Sequence, residues 1–195
     1  TPRRIVSFFF ILFLCSLVAK ISLIGLSKEA LSEPLAPWRL RLQMPIAYLG
    51  RLMMFVFGFY WVRVTGAPAP RKEAPIIVPN HQGMVDGFFF NSVMLGTSPP
   101  ALCSPVAAGE NLNIPFLGTV LAACQAIIVD RSDPNSKKQV LLDIKRRAVE
   151  AERFGRKLML FPEGTTSNGS IVLGFKVGAF TPGLPVQPVA IRYPH

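Results

Sequence analysis

Two long apolar segments occupy most of the first 62 residues. The first, Ile5–Ala19, is apolar except at Ser7 and Ser16 and follows Arg3 and Arg4. If the lysine at position 20 is tolerated, the stretch extends to position 26 and approaches the roughly 20 residues that cross a bilayer. A signal peptide starts in a similar way, but no clear small-x-small cleavage site follows. We therefore expect an uncleaved membrane anchor, with a signal peptide or a buried helix as alternatives.

The second apolar segment, Met44–Val62, is interrupted by Arg51 and ends in aromatic residues of the kind enriched at membrane interfaces. Ser27–Gln43 joins the two segments and contains Pro34 and Pro37, which break helices. So short a connection predicts a helical hairpin that enters the membrane and returns. The basic flanks of the hairpin would then lie together on the cytoplasmic side. The alternative is that both helices pack against the core of a globular domain.

The charge balance is strongly basic, because 21 Lys and Arg against 11 Asp and Glu give a formal net charge of +10. Such a surface attracts nucleic acid, anionic membranes or phosphorylated small molecules. The basic residues concentrate on one predicted helix and beside the apolar segments, without a nucleic-acid-binding motif. We therefore expect a lipid bilayer, and not a nucleic acid, as the partner. Cys15, Cys103 and Cys124 lie far apart without a CxxC motif, which predicts neither a disulfide nor a metal site.

A proline-rich stretch at 66–75 reads as a linker. It divides the chain into a membrane-associated helical segment, residues 1–65, and a globular domain, residues 75–195. Patterning predicts strands and helices in alternation: strands at Pro75–Pro79, Ala101–Ala107, Ala126–Val129, Lys157–Phe161 and Val186–Ile191, and helices at Asp86–Leu95 and Ser136–Arg153. This order predicts an α/β fold, a central mixed sheet with helices on its faces. Because the sequence has no initiator Met and stops just after a predicted strand, we expect a piece of a longer protein, with the domain truncated on its C-terminal side.

Asn80–Asp86 follows the first predicted strand and contains a candidate catalytic pair. If His81 lies in the turn after the strand and Asp86 in the first turn of the next helix, the carboxylate reaches one imidazole nitrogen. Asp86 would then fix the tautomer, and His81 would accept a proton through its other nitrogen. No GxSxG elbow or paired cysteine accompanies the two residues, so His81 would activate a substrate hydroxyl directly. The alternative is a capping Asp beside an unrelated His.

Two further polar clusters follow predicted strands, where open α/β sheets place their sites. Phe161–Gly169 is a Pro/Gly loop that presents Glu163, two threonine hydroxyls and several backbone N–H groups, which suit a phosphate or a hydroxylated ligand. Asp130 and Arg131 place a carboxylate beside a guanidinium that suits bidentate contact with a phosphate. Each cluster also has a simpler reading, as a polar turn or as a structural Asp–Arg pair.

Taken together and in order, these residues resemble the glycerolipid acyltransferase superfamily. Four sequence blocks of that family recur: Asn-His-x4-Asp at 80–86, an Ile-Asp-Arg-like triplet at 129–131, Phe-Pro-Glu-Gly-Thr-Arg-Ser at 161–167 with one mismatch, and a Pro-containing strand at 184–189. The likeness extends from about Pro75 to Tyr193. Four ordered blocks are a much stronger signal than any one of them alone.

The resemblance implies direct acyl transfer without an acyl-enzyme. His81 would deprotonate the acceptor hydroxyl, which attacks the thioester of acyl-CoA, while Asp86 supports the imidazole. The acceptor's glycerophosphate would be held by Arg131 and by residues of the fourth strand's loop, namely Glu163, Gly164, Thr165 and Thr166. The resemblance also implies no metal and no cofactor, with acyl-CoA as a co-substrate.

The sequence departs from the family pattern most clearly at Thr166, where members that form phosphatidate carry Arg. The stretches 161–169 and 183–194 look most like the eukaryotic lysophosphatidylcholine/lysophosphatidylethanolamine acyltransferase branch. We therefore expect a zwitterionic lysophospholipid acceptor, with lysophosphatidic acid as the alternative. That branch implies an endoplasmic reticulum membrane, with the catalytic domain facing the cytoplasm.

Two other functions remain open at this point. The chain could be a CoA-independent transacylase that takes its acyl group from another phospholipid, and dependence on added acyl-CoA separates the two enzymes. It could also be a non-catalytic protein that binds membranes through its basic surface. The intact His81 and Asp86 argue against this last alternative.

Overall fold

The computed structural model describes residues 2–83, 85–93, 102–130 and 132–193. The helices are α1 (Pro2–Leu23), α2 (Pro37–Leu42), α3 (Met44–Phe57), α4 (Asp86–Val93), α5 (Leu117–Ala123), α6 (Pro134–Val149) and α7 (Ala151–Phe154). The strands are β1 (Ile76–Pro79), β2 (Ser104–Ala108), β3 (Ile127–Val129), β4 (Leu158–Met159) and β5 (Val186–Val189). Short 3₁₀ turns occur at Glu29–Ser32, Gly109–Asn113 and Val177–Ala179.

The five strands form one sheet in the order β3-β2-β4-β1-β5, and every pairing between them is parallel. The α/β class is thus confirmed, while the expected mixed sheet is a parallel one in the described strands. Parallel neighbours need crossover connections, which here run through α4, α5, α6 and α7, while the connection from β4 to β5 contains the 3₁₀ turn Val177–Ala179. Because all strands point the same way, the residues that follow them meet at a single edge of the sheet, here called the carboxyl edge.

Strand β1 is buried along its whole length, as a strand with helices on both faces should be. Ile76 packs in a cluster with Val140 and Ile144 of α6 on one face of the sheet. Ile77, its neighbour in sequence, packs with Phe90 of α4 on the other face. Successive side chains of a strand point to opposite faces, so this one apolar run builds both cores.

The two predicted apolar helices form as α1 and α3, and they pack against each other; α1 also packs against α5, and α3 against α4. One stripe of α1 is buried at helical spacing, at Phe8, Ile11, Leu12, Cys15, Ser16, Ala19 and Ser22. These side chains share a core with Val120 and Ala123 of α5. The buried face of α1 therefore packs against the core of the domain, which was the alternative to a membrane hairpin.

The opposite face of α1 is apolar as well, but it is exposed. Val6 and Phe10 are each at least 60% exposed, as is Ile24 immediately after the helix. In length and apolar composition α1 is also sufficient to cross a membrane. A helix that is apolar all round but buried on one side only leaves a large apolar surface in need of a partner.

The second predicted apolar segment is helical only as far as Phe57 and not to Val62. Gly58 ends α3 because it adopts φ +104°, a backbone conformation that glycine tolerates at helix ends. Arg51, which interrupts the apolar pattern, folds along the helix and donates to the carbonyl oxygens of Phe59 and Tyr60 at 2.9 and 2.8 Å. This guanidinium therefore stabilises the chain where it leaves the helix, at the end of the apolar segment.

Candidate active site

His81 and Asp86 meet at the carboxyl edge of the sheet. β1 ends at Pro79, which places His81 in the connection after the strand, while Asp86 is the first residue of α4. Across this connection His81 Nδ1 lies 2.9 Å from Asp86 Oδ2. The His81 side chain is 21% exposed and that of Asp86 is fully buried. The predicted pair is thus formed in the predicted way, with one residue in the turn and the other in the first helical turn.

The Asp86 carboxylate accepts hydrogen bonds on both oxygens. The backbone N–H groups of Gln82 and Gly83 donate to Oδ2 at 2.8 and 2.9 Å, beside the His81 contact. Oδ1 accepts from the hydroxyl of Tyr193, which comes from the segment after β5. Burial raises the pKa of the Asp86 carboxyl, but these hydrogen bonds outweigh burial and hold its pKa below the ordinary value. Asp86 is therefore a buried, ionised carboxylate that accepts a hydrogen bond from the Nδ1–H group of His81.

This arrangement fixes the imidazole tautomer. With its proton on Nδ1 facing the carboxylate, His81 keeps Nε2 as the nitrogen that can take up a proton. The ring also stacks on Phe161, with centroids 3.9 Å apart and an interplanar angle of 19°. A hydrogen bond on one side and a ring face on the other leave the imidazole little freedom to rotate.

The backbone of His81 is tied to the loop after β4. Its N–H donates to Glu163 Oε1 at 2.9 Å, and its carbonyl accepts from Ser167 N at 2.8 Å. Glu163 Oε2 accepts from Leu173 N at 2.9 Å, and the Glu163 residue is only 4% exposed. Each Glu163 oxygen thus accepts a hydrogen bond from a backbone N–H group. Glu163 therefore holds two loops together, a role that the sequence had not predicted. Contact between Glu163 and the acceptor stays a prediction.

A third connection joins the His81 turn to the segment after β5. The Asn80 side chain donates to Ile191 O at 3.0 Å and accepts from Ile191 N at 2.6 Å. Gln82 Nε2 donates to the same carbonyl at 2.9 Å. The residues on either side of His81 are therefore fixed to a chain segment about 110 positions away, by groups that carry no charge.

A cavity of about 610 Å³ opens beside His81. Side chains of α4 and α5 cover it, and its walls are mostly apolar, including Phe88, Ile114 and Leu121. Thr165 and Thr166 also line it, together with His81. The cavity thus joins a basic nitrogen and two hydroxyls to an apolar interior, an arrangement that suits a ligand with one polar and one aliphatic part.

A second cavity, of about 470 Å³, lies under α6 and shares Phe161 and Gly164 with the first. Two cations line it, Lys137 of α6 and Lys176 from the loop before the last 3₁₀ turn. Gly164 adopts φ +69°, and a Cβ at this position would collide with the Lys176 ammonium. The absence of a side chain at Gly164 therefore lets a cation approach the loop that the sequence singled out for phosphate binding.

The predicted Asp130–Arg131 pair is described only in part. Arg131 lies outside the described residues, so its phosphate contact stays a prediction. Asp130 Oδ1 accepts from the backbone N–H of Ser132 at 2.8 Å and from its hydroxyl at 2.6 Å. Asp130 N donates to Ser136 Oγ at 3.1 Å. These contacts show Asp130 shaping the entry to α6.

Several residues that build this site escaped the sequence analysis as site residues. Tyr193 and Lys176 approach it from segments far from His81 in sequence, and Phe161 contributes a ring in a block chosen for its polar members. The segment 183–194 had been noted only for its resemblance to a family branch. A tyrosine after a strand does not by itself indicate a site residue. The contact of Tyr193 with Asp86 can be predicted only when the order of the strands in the sheet is known.

The sequence matches a family model described as Acyltransferase over residues 61–192. The chain is 40% identical to the lysophospholipid acyltransferase LPEAT2 of Arabidopsis thaliana over 92% of this chain, and 40% identical to the lysophospholipid acyltransferase LPCAT4 of Homo sapiens over all of it. It is 37% identical to lysophosphatidylcholine acyltransferase 1 of Danio rerio, again over its full length. These relatives carry the names of the branch that the sequence resembles. The chain spans about a third of their length, 31% of the first and 36% of the other two.

The fold is similar to the crystal structure of the 1-acyl-sn-glycerophosphate (LPA) acyltransferase PlsC from Thermotoga maritima. The TM-score is 0.63, and the match covers 96% of this chain and 73% of that chain at 20% sequence identity. At this identity the likeness concerns the fold alone.

Proposed function

The chain belongs to the acyltransferase family, and we propose that it moves a fatty acyl group from acyl-CoA to the free hydroxyl of a lysophospholipid, with His81 as the general base. One observation carries the proposal: His81 Nδ1 lies 2.9 Å from the buried carboxylate of Asp86 at the mouth of an apolar cavity. A base oriented in this way suits removal of a proton from an alcohol. The apolar cavity suits an aliphatic chain.

In the proposed reaction His81 takes a proton from the acceptor hydroxyl and later gives it to the sulfur of CoA. His81 Nε2 accepts the proton of the acceptor hydroxyl while the oxygen attacks the carbonyl carbon of the thioester. The imidazolium that forms is stabilised by Asp86, whose lowered pKa keeps it ionised. The C–S bond then breaks, and the departing CoA sulfur takes the proton back from His81. The products are a diacyl phospholipid and free CoA, and the acyl group is never covalently attached to the protein.

The exposed apolar face of α1 supports the proposal that this reaction takes place at a lipid bilayer. Both lipid substrates reside in or partition into a bilayer, and Val6 and Phe10 present aliphatic and aromatic surface of the kind that inserts there. Phe116, which precedes α5 near the wall of the His81 cavity, contacts Phe13 on that helix, with ring centroids 5.4 Å apart. The cavity therefore lies close to the surface that we propose to contact lipid. Assignment to the endoplasmic reticulum, with the domain on the cytoplasmic side, stays a prediction.

The charge at the loop after β4 bears on the acceptor head group. Thr166 lines the His81 cavity at the position where phosphatidate-forming relatives carry Arg, so this loop, with the Lys176 ammonium beside Gly164, offers the head group one positive charge fewer than theirs. A phosphodiester carries one negative charge, whereas the phosphate monoester of lysophosphatidic acid carries close to two near neutral pH. An unpaired charge in a partly shielded site costs on the order of a few kcal/mol. We therefore propose that lysophosphatidylcholine or lysophosphatidylethanolamine is preferred.

The test compares kcat/KM for these acceptors and for lysophosphatidic acid under identical detergent and labelled acyl-CoA. We expect a preference of about a hundredfold for the zwitterionic acceptors, since each factor of ten corresponds to about 1.4 kcal/mol. Thr166→Arg should move the preference toward lysophosphatidic acid. Ser170→Arg adds the same charge to an exposed position of the same loop and should leave the preference unchanged.

Each possible failure of this experiment points to a different part of the proposal. A clear preference of the unmodified protein for lysophosphatidic acid would contradict the head-group argument but not acyl transfer. Product formed from a phospholipid donor without acyl-CoA would identify a transacylase. No transfer from any donor would contradict the proposed function itself.

A further inference from the structure

Tyr193 contacts the catalytic pair from outside both predicted motifs. It lies four residues after β5, in a segment that the carboxyl edge brings beside α4. Its hydroxyl donates to Asp86 Oδ1, the oxygen that does not face His81. Its ring packs against Phe59, with centroids 5.4 Å apart, in the segment that follows α3. One side chain thus links the end of the apolar N-terminal helices to the carboxylate behind the catalytic base.

From this geometry we infer that Tyr193 is a positioning residue for the proposed acyl transfer: it holds the Asp86 carboxylate in the orientation that orients His81. The inference rests on the proposed function of His81 as a base. Tyr193 does not touch the cavity-facing nitrogen of the imidazole, so it acts through Asp86 and not on the substrate.

The hydroxyl is well suited to this role. Burial and the Asp86 carboxylate both raise the pKa of Tyr193 well above its ordinary value, so the phenol remains protonated and is a permanent donor. A carboxylate that accepts one bond on Oδ1 and three contacts on Oδ2 cannot rotate without losing several of them. The hydroxyl also stabilises negative charge on Asp86, which weakens the pull of Asp86 on the His81 proton.

The sign of the pH effect follows from this last point. Without the hydroxyl, the carboxylate attracts the proton of the His81 imidazolium more strongly, so the acidic limb of the activity profile should move to higher pH. Among the residues that the structure describes, the titratable side chains hydrogen-bonded to the pair are Tyr193 and Glu163, whose carboxylate accepts from the His81 backbone. Glu163 is unchanged by substitution of Tyr193, so a displacement can be attributed to the lost hydroxyl.

The experiment measures kcat/KM against pH for Tyr193→Phe, which removes the hydroxyl and keeps the ring on Phe59. We expect a loss of roughly tenfold at neutral pH and an acidic limb displaced upward by roughly half a pH unit or more, because hydrogen bonds to charged groups are among the stronger ones. Tyr60→Phe is the matched control, because Tyr60 is exposed and its ring contacts Phe55. Its profile should coincide with that of the unmodified protein.

Phe59→Leu tests the other contact of Tyr193. It keeps the apolar character but removes the ring, and it should displace the acidic limb in the same direction by a smaller amount. If Tyr193 served only the fold, both variants would lower thermal stability and leave the acidic limb in place. An unmoved limb in Tyr193→Phe would overturn the inference.

A second measurement separates this inference from the proposed function. The chain has two histidines, so a His195→Gln background leaves His81 as the one imidazole to observe by NMR. Titration of that ring in detergent micelles should show the upward displacement in Tyr193→Phe whether or not any acyl transfer is detected. A displaced titration with no turnover would contradict the proposed function alone, and turnover with an undisplaced titration would contradict the inference alone.

Discussion

The carboxyl edge of the sheet and the N-terminal helical segment are held together by different forces. At the edge, hydrogen bonds join residues that are 82, 107 and 109 positions apart, and they converge on His81, Asp86 and the neighbouring Gln82. In the helical segment, α1 packs mainly by apolar contact along one face, with hydrogen bonds from Arg39 and Gln43 to Ser22 near its C-terminal end, and leaves its other apolar face exposed. Hydrogen bonds fix direction and distance, whereas apolar contact fixes only proximity.

This difference separates the consequences of damage to each region. Changes at the edge should disturb chemistry while the protein stays folded and attached to lipid. Changes to the exposed face of α1 should disturb attachment to lipid while the contact between His81 and Asp86 stays intact. Buried residues of α1 belong to the fold and should affect its stability.

The largest effect at the edge is expected for Asp86→Asn. The amide cannot serve as the anion that stabilises imidazolium, and it can present a donor to His81 Nδ1, which favours the wrong tautomer. We expect a loss of about 10² to 10⁴-fold in kcat, the range of general-base catalysis. Sedimentation with vesicles should show unchanged membrane binding. Loss of membrane binding together with activity would show that the two regions are not separable.

Two leucines of α1 test the other side of the comparison, because they lie five residues apart on one helix. Leu12 is fully buried and Leu17 is 46% exposed. Leu12→Ala should lower the free energy of unfolding by about 2–5 kcal/mol, as large-to-small changes in a core do. Leu17→Ala should leave unfolding nearly unchanged and weaken partition into vesicles by about 1–2 kcal/mol, from the apolar surface lost.

Thermal unfolding and vesicle partition should be measured for both leucine variants. Release by high salt alone of the unmodified protein would show that its basic surface, and not α1, holds it on membranes. Equal effects of the two substitutions on unfolding would mean that both faces of α1 are buried.

Glu163→Gln is expected to have a smaller effect than Asp86→Asn. The amide keeps one oxygen acceptor but turns an NH₂ group toward a backbone N–H, either that of His81 or that of Leu173. One buried backbone group is then left unsatisfied, at a cost of about 1–3 kcal/mol. We expect kcat to fall by roughly tenfold with the KM for the acceptor unchanged, because the base is displaced while the binding surface remains. A raised KM with unchanged kcat would instead support the predicted contact between Glu163 and the acceptor.

The sequence predicted those parts of the site that depend on local order along the chain. His81 follows a buried strand and Asp86 begins the next helix. Because the two residues are only five positions apart, the turn between them keeps their side chains close. Strand positions were also predictable from short apolar runs, although β4 is shorter than expected because Pro162 begins a loop soon after it. The family blocks located the loops that meet at the edge.

The remaining features depend on the order of strands, which no local pattern specifies. β1 lies between β4 and β5, and this placement alone brings Glu163 and Tyr193 to the His81 turn. The end of α3 was misplaced because the aromatic run continues to Val62, while Gly58 stops the helix earlier. In the sequence Arg51 only interrupts an apolar segment. Its role in stabilising the end of α3 follows from its hydrogen bonds to the carbonyl oxygens of Phe59 and Tyr60, which the sequence pattern does not predict.

The central claim is that His81 is the base of a direct transfer. The measurement that tests it most directly is acyl transfer from labelled acyl-CoA to lysophosphatidylcholine by His81→Ala, beside His195→Ala, which removes the other histidine of the chain. We expect His81→Ala to lose at least about 10² to 10⁴-fold in kcat/KM, with membrane binding and unfolding temperature retained, and His195→Ala to remain within a factor of a few of the unmodified protein. Activity of His81→Ala within that same factor would contradict the account, as would labelled protein that carries the acyl group when acceptor is withheld.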